Sequence, residues 1–399
     1  MEITINKPAF LKVLRDATSV ISNQTVIPSL SKIRIKANIT DDLELTTSNG
    51  QTSMVVKFNN ANVEDDQELN IKVEDTGDIC VPGKFLTSVI RKMPEKKIKL
   101  KTDENAKRLI VSAKKTKIKI PYDDGTAFPQ IPSALADSDK ELLKIDTQTF
   151  IDHVKKALVI GENLNESRPI LNNLHLLVKN QHLLIEITDS HRILRTQMPT
   201  IENNVDADIL LPIESIKIIM GHLKPDEMPT VTIKELAVDN AVKYQIRTMG
   251  RFYDISPMVG MYPDLDPVIN NATNAQQNHI KIELSALQIQ QITNDCQLAT
   301  LANGFSTEKD NKLFLEIPDD HTLRLYTADH SVNDELDVAT DGFTPGSHQL
   351  CLNSKWLGGD LQNFTEDINF DFFGEIKPYK ITPADNNDQL YIGTPIKTA

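Results

Sequence analysis

The chain has 399 residues, of which 40% are hydrophobic and 25% charged, a globular composition that excludes a disordered or fibrous protein. Domains mostly run to ~100 to 200 residues, so two or three are expected. The net charge of −13 argues against a surface coated in positive charge, but it averages over a gradient: +4 for residues 1–130, −6 for 131–274 and −11 for 275–399.

Such a charge dipole suits head-to-tail association, in which complementary fields steer two copies into one orientation. No run reaches the ~18 apolar residues of a membrane span, and MEITINKPAFLKVL at the N-terminus lacks the apolar centre of a signal peptide. A cytoplasmic protein without membrane contact is expected. Cys80, Cys296 and Cys351 match no metal spacing and are expected as small buried thiols.

In chain order, PAFLKVLRDATSVIS has apolar residues at Phe10, Leu11, Leu14 and Ala17, one face of a helix. IPSLSKIRIKANITDDLELTTS follows as strand, turn and strand. The same order returns in QTFIDHVKKALVI, RPILNNLHLLV and HLLIEITDS, and again in LSALQIQQITNDCQLATLA, KLFLEIP and TLRLYTADH. Each copy has a second half, where ICVPGKFLTSVIRKMP, ILLPIESIKIIMGHL and LCLNSKWLGGDLQNF each read as a short strand entering a helix. Alternating strands come next in each case. The pattern predicts six helices and about two dozen strands, an α+β fold of three repeated domains. Expected bounds are 1–127, 141–262 and 280–399. The linkers, 128–140 and 263–279, carry paired prolines that suit extended connectors.

The stretch LLIEITDSHRIL places Thr188, Asp189, Ser190, His191 and Arg192 in a row at a strand end. A hydrolase using Asp189, Ser190 and His191 is one reading. Neighbours along a strand point in alternating directions, however, and cannot form a nucleophile, base and orienter line. The termini LELTTS and RLYTADH make the stretch one of three repeated strand ends. With no nucleophile elbow, P-loop, dinucleotide fingerprint or zinc-protease helix, neither catalytic residues nor a metal or cofactor is expected. The histidines are scattered; His175 and His182 flank a turn, and spacing supplies them with no ligand partners.

In KIKLK and KIKI, residues 97–101 and 117–120, lysines alternate with apolar residues, so Lys97, Lys99 and Lys101 share a face opposite Ile98 and Leu100. They either guard an edge strand or meet acidic residues of NDELDVATD, with Asp334 and Glu335, in a second copy. Exposed cations on the helices, including Lys84, Arg91, Lys155 and Lys217, could meet a phosphate backbone without reading bases.

MEITINKPAFLKVL with IPSLSKI, SRPILNNLHLLV with EITDSHRIL, YPDLDPVI and YIGTPIK occur in an order and spacing that resembles the bacterial sliding clamp, the β subunit of the DNA polymerase III holoenzyme. The resemblance spans nearly the whole chain. It implies three clamp domains, each with two helices packed on antiparallel sheets, and a head-to-tail homodimeric ring around duplex DNA held without sequence specificity. Lys117, Ile118, Lys119 and Ile120 would meet Leu298, Leu301, Asp334 and Glu335 of a second copy. Lys84, Arg91, Lys155, Lys217 and Gln24 would face the DNA.

The resemblance further implies a pocket in which the replicative polymerase, clamp loader and repair proteins insert short linear motifs. Carried over by motif, its residues are Arg168, Ile170, Leu171, Thr188, Ser190, His191, Arg192, Ile193, Pro263, Val268, Asn353, Trp356, Ile392, Thr394, Pro395 and Ile396. Family members usually have Gly where Ser190 stands, Met at Thr394, and basic residues at Gln24 and near Ile213 and Glu214. These departures point to reduced or altered affinity for duplex and partner motifs. A divergent paralogue acting as scaffold for a dedicated partner is the alternative function.

Overall fold

The computed structural model describes residues 1–22, 27–40, 42–58, 70–136, 138–162, 167–203, 205–248, 250–273, 279–304, 311–346 and 348–397. The chain forms two compact units. One comprises Met1–Phe150, Thr200–Asp206 and Glu214–Met258; the other comprises Ile151–Pro199, Ala207–Ile213 and Val259–Ala399.

In the first unit, strands Lys32–Ala37, Leu43–Ser48 and Thr52–Phe58 follow one another as antiparallel neighbours in a ten-stranded sheet. The sheet continues without a break, because Thr52–Phe58 also pairs with Arg251–Ile255. A five-stranded sheet holds Glu2–Asn6, Lys97–Asp103, Arg108–Ala113 and Thr116–Pro121. Helix Lys7–Ser19 buries Phe10, Leu11, Leu14 and Ala17, the expected face.

The second unit repeats the plan. Strands Asn173–Lys179, His182–Thr188 and Arg192–Pro199 enter a nine-stranded sheet, and Arg192–Pro199 pairs onward with Gln389–Gly393. A four-stranded sheet contains Lys312–Glu316, Thr322–Tyr326, Asn333–Asp337 and Gln349–Asn353. The strands expected for the middle domain are thus shared between the two large sheets.

The described residues contain eight α-helices and 28 strands. Both additional helices, Pro132–Leu135 and Asp266–Thr273, fall in the segments expected to be extended. In the second, Pro267 stands in the first turn, where a missing N–H costs nothing. Its apolar face explains the coiling: Ile269 and Ala272, with Leu265 just before the helix, pack against Ile193 and Ile392 in one buried cluster.

The lysine strand also differs from expectation. Lys97–Asp103 lies inside its sheet, with Ile98 and Leu100 each 1% exposed, so Lys97, Lys99 and Lys101 guard no edge. Lys99 and Lys101 instead pair with Glu2, whose carboxyl they hold down at about 2. Of the two lysine-bearing strands, Thr116–Pro121 lies at an edge of the sheet, whose other edge is Lys72–Asp75. All three cysteines are buried free thiols. No helix among the described residues is long and apolar enough to cross a membrane.

Candidate functional site

The row of polar residues at Thr188–Arg192 forms a tight turn. Thr188 Oγ1 donates to the Arg192 carbonyl at 2.7 Å and accepts the Ser190 N–H at 3.2 Å. Asp189 Oδ1 accepts the N–H groups of His191 and Arg192 at 2.9 and 2.8 Å, and its Oδ2 accepts Arg192 Nε at 2.8 Å. Both Asp189 oxygens are committed to the turn and to Arg192, not to the His191 ring. Ser190 has φ +83°, the left-handed conformation that glycine accommodates without penalty.

The turn pushes His191 out and Arg192 in. The exposed His191 ring stacks on Trp356 with centroids 5.4 Å apart, and the Arg192 guanidinium lies 5.2 Å from the Trp356 ring centre. Arg192 is 5% exposed and donates through Nη1 to Asp360 Oδ1 and Oδ2 at 3.2 and 3.4 Å. The Tyr391 hydroxyl donates to the same carboxylate. Burial pushes the Asp360 carboxyl up to about 7 against the pull of Arg192 and Tyr391. Asn353 Oδ1 accepts the Trp356 N–H at 3.1 Å, capping helix Ser354–Leu361 and fixing the first turn that carries the indole. From the C-terminal segment, Thr394 donates to the His191 carbonyl through N–H and Oγ1, at 3.0 and 3.1 Å, and the Ile396 N–H reaches the Cys351 carbonyl at 2.7 Å.

Thus Thr188, Ser190, His191, Arg192, Asn353, Trp356, Thr394 and Ile396 converge, and Pro395 stands half-buried between the last two. The linker side is built differently from expectation. Ile193 and Ile392 are 5% and 2% exposed, sealed beneath the linker cluster, so they form a floor and not an open wall. Leu171, 5% exposed, is core as well. Ile170 is half-buried and sits under Gly260, where an added Cβ would lie 3.0 Å from Ile170 Cδ1. Arg168, Pro263 and Val268 have exposed side chains.

Sequence reading missed three contributors. Asp360 holds Arg192, Tyr391 donates to Asp360, and Tyr262 Oη accepts the Thr188 N–H at 3.0 Å. Tyr391 and Tyr262 stand inside quoted motifs, YIGTPIK and YPDLDPVI, which was the available signal. His175 also has partners that spacing did not reveal: Glu186 and Asp208, each 3.0 Å from a ring nitrogen.

The other expected residues lie elsewhere. Lys84 and Arg91 are exposed on helix Gly83–Lys92, Lys155 on Thr147–Ile160 and Lys217 on Ile213–Met220, which also carries exposed Glu214. Gln24 lies outside the described residues. On the edge strand Thr116–Pro121, Lys117 and Lys119 are exposed and Ile118 half-buried. Ile120 is 0% exposed; alternation turns it into the sheet's core, so its side chain cannot serve a subunit contact. Leu298 and Leu301 are 55% and 64% exposed on helix Ala286–Gly304. Asp334 and Glu335 lie on the edge strand Asn333–Asp337 and already have partners, Gln291 at 2.6 Å and Arg324 at 2.7 Å. Beside Asp334, Asp295 is 8% exposed, and its Oδ2 meets no hydrogen-bond partner among the described residues. Burial and the neighbouring Asp334 push its carboxyl up to about 6.

Known proteins share this architecture. A Staphylococcus epidermidis protein named beta sliding clamp is 23% identical over 400 residues, with all of both chains covered. The DNA polymerase sliding clamp of Bacillus subtilis superimposes with a TM-score of 0.86 at 19% identity, and the beta subunit from DNA polymerase of Streptococcus pyogenes with 0.83 at 21%, each covering both chains fully. The family profile described as DNA polymerase III beta subunit, N-terminal domain, matches residues 1–132, and the one described as its central domain matches 144–255. The chain belongs to the bacterial sliding clamps, the family of the DNA polymerase III beta subunit.

Proposed function

We propose that this chain is a processivity clamp: two copies join head to tail around duplex DNA, and partner proteins dock a short apolar motif beside His191 and Trp356. The observation that carries the reading is the meeting of sequence-distant segments, 188–193, 353–360 and 391–396, around one histidine–tryptophan stack. Half-buried Ile170, Pro395 and Ile396 offer apolar contact there, while His191, Thr394 and the Trp356 indole offer polar orientation. Exposed Lys84, Arg91, Lys155 and Lys217 supply phosphate contacts that ignore sequence, and weak contacts suffice when DNA is held by enclosure. For the dimer, the edge strand bearing Lys117 and Lys119 complements the edge strand bearing Asp334 and Glu335, with Leu298 and Leu301 as an apolar neighbour. The chain acts in this scheme as an accessory factor.

Two measurements test it. The protein, loaded on nicked circular DNA, should be retained and then lost when the circle is linearised; retention on linear DNA would refute enclosure. His191→Ala and a chain ending at Pro395 should each weaken a labelled hexapeptide carrying two leucines and a phenylalanine about tenfold or more, while light scattering still shows a dimer. Unchanged peptide affinity in both variants would remove the pocket assignment.

A further inference from the structure

The linker is fastened beside the turn 188–192 at two points that the docking contacts do not use. At the first, Tyr262 Oη holds the Thr188 N–H, and the Tyr262 ring lies on the His175 imidazole with centroids 4.8 Å apart. At the second, Asp266 opens the linker helix and accepts from Arg195 Nη2 at 2.6 Å. His175 and Arg195 are joined through Glu186. Its Oε2 lies 3.0 Å from His175 Nδ1, and its Oε1 accepts Arg195 Nε at 2.6 Å. On the far side, His175 Nε2 lies 3.0 Å from Asp208 Oδ1.

Signs alternate along this row when His175 is charged: Asp208, His175, Glu186, Arg195, Asp266. Strand register creates it, since His175 pairs directly with Glu186 and Glu186 directly with Arg195, which puts the three side chains on one face. Both nitrogens of His175 face carboxylate oxygens. A neutral imidazole has one N–H and one lone pair, so it would satisfy one carboxylate and repel the other; the imidazolium donates to both. Burial opposes that charge, but Glu186 and Asp208 outweigh it, and the net shift of His175 is upward. Glu186, 2% exposed, is likewise held down by His175 and Arg195 against burial.

We propose that Tyr262 and His175 are positioning residues of the pocket: the Tyr262 hydroxyl and the ion row from Asp208 to Asp266 hold linker residues 262–268 beside the turn 188–192, so protonation of His175 sets peptide affinity from outside the docking contacts. The inference rests on the peptide-docking reading of His191 and Trp356. Loss of the His175 proton leaves Arg195 on Glu186 but sets a lone pair against one carboxylate and removes the cation beneath the Tyr262 ring. The first anchor of the linker is thereby loosened, and Pro263 with it.

The test uses the full-length protein and the labelled Leu, Leu, Phe hexapeptide, with polarisation recorded between about pH 5.5 and 8.5. Tyr262→Phe should raise the peptide Kd about 5- to 10-fold with the dimer unchanged, because it strands one buried N–H. The unaltered protein should lose affinity as pH rises through the His175 titration, and His175→Gln should lose most of that slope. Every other group is common to the two proteins, so the difference between their profiles isolates His175. Asp266→Asn, at the exposed end of the row, should weaken binding in the same direction and guards against a misfolded His175 variant. A Tyr262→Phe Kd equal to that of the unaltered protein, or parallel pH profiles with and without His175, would overturn the proposal while leaving the pocket standing. An unchanged Kd in both His191→Ala and the chain ending at Pro395 would remove the pocket itself, and this inference with it.

Discussion

Replacing Ser190 by glycine should stabilise the protein. At φ +83° an L-residue crowds its Cβ against the neighbouring carbonyl, at a cost of about 1–2 kcal/mol. Glycine removes that cost but loses about 0.5–1 kcal/mol of extra backbone entropy on folding, leaving a net gain of about 0.5–1 kcal/mol. Nothing else should change, since the Ser190 hydroxyl meets no hydrogen-bond partner among the described residues, and the bond from its N–H to Thr188 is retained. The chain carries its own control. In the turn Ser48–Thr52, Gly50 has φ +95°, and Asn49 Oδ1 accepts the N–H groups of Gln51 and Thr52 just as Asp189 Oδ1 accepts those of His191 and Arg192. A Cβ on Gly50 would meet Leu30 Cδ1 at 3.6 Å, an ordinary contact, so Gly50→Ser pays backbone strain without a clash. The two swaps should therefore be opposite and nearly equal, each moving its own calorimetric transition by roughly 2–4 °C per kcal/mol for units of about 200 residues. If Ser190→Gly destabilises, or Gly50→Ser costs nothing, positive φ is not what sets the energy of these turns.

Two further outcomes follow from single side chains. Asp295→Asn should raise stability at pH 7.5 by about 1–3 kcal/mol, because the carboxylate is buried beside Asp334 with one oxygen unpartnered. Its folded pKa, about 6, lies above the ordinary 3.8, so its stabilising contribution is complete below pH 4 and is lost as pH rises through 6. Urea midpoints at pH 5 and pH 7.5 should converge in the variant, and an undiminished pH dependence would assign the effect to another group. Thr394→Met should tighten the labelled hexapeptide about 2- to 5-fold, since the Thr394 N–H keeps its bond to the His191 carbonyl while the longer side chain adds apolar contact. Weaker binding by polarisation would show that the Thr394 hydroxyl matters more than the added surface.

How much of this was legible in the sequence depended on range. The Phe10, Leu11, Leu14 and Ala17 stripe and the alternation Ile98, Leu100 are local patterns, and the structure buries the residues they pick out. The left-handed position of Ser190 was legible as a departure from a glycine in the family motif. His191 and Trp356 came from resemblance alone, because nothing local says that residues 165 positions apart stack. Asp360, 168 residues from Arg192, left no trace, since strand register and helix docking decide that pair. The linker helix was obscured by prolines, which read as extended chain unless one stands at a helix start, as Pro267 does. Ile120 shows the limit of alternation: the pattern separates two faces but does not say which is wet.

The turn 188–192 and its histidine–tryptophan stack are best understood against their counterpart in the first unit. Strand Thr52–Phe58 pairs with Arg251–Ile255 so that Met54 faces Tyr253, just as Leu194 faces Tyr391 in the second unit. In both, the residue that closes the turn reaches a helix: Thr52 Oγ1 donates to Ser215 Oγ at 2.7 Å, and Arg192 reaches Asp360. Tyr253 meets His222 at 3.1 Å where Tyr391 meets Asp360. The same frame is thus closed once by a neutral hydroxyl pair and once by a buried ion pair roofed by an indole. A hydroxyl pair needs little room and little support. An arginine kept at 5% exposure needs Asp189, Asp360 and the Trp356 face together, and that demand brings the indole beside the turn and leaves His191 on the outside to stack upon it. One duplicated turn therefore serves as plain scaffold in the first unit. In the second, the charge it carries accounts for why the aromatic site forms there.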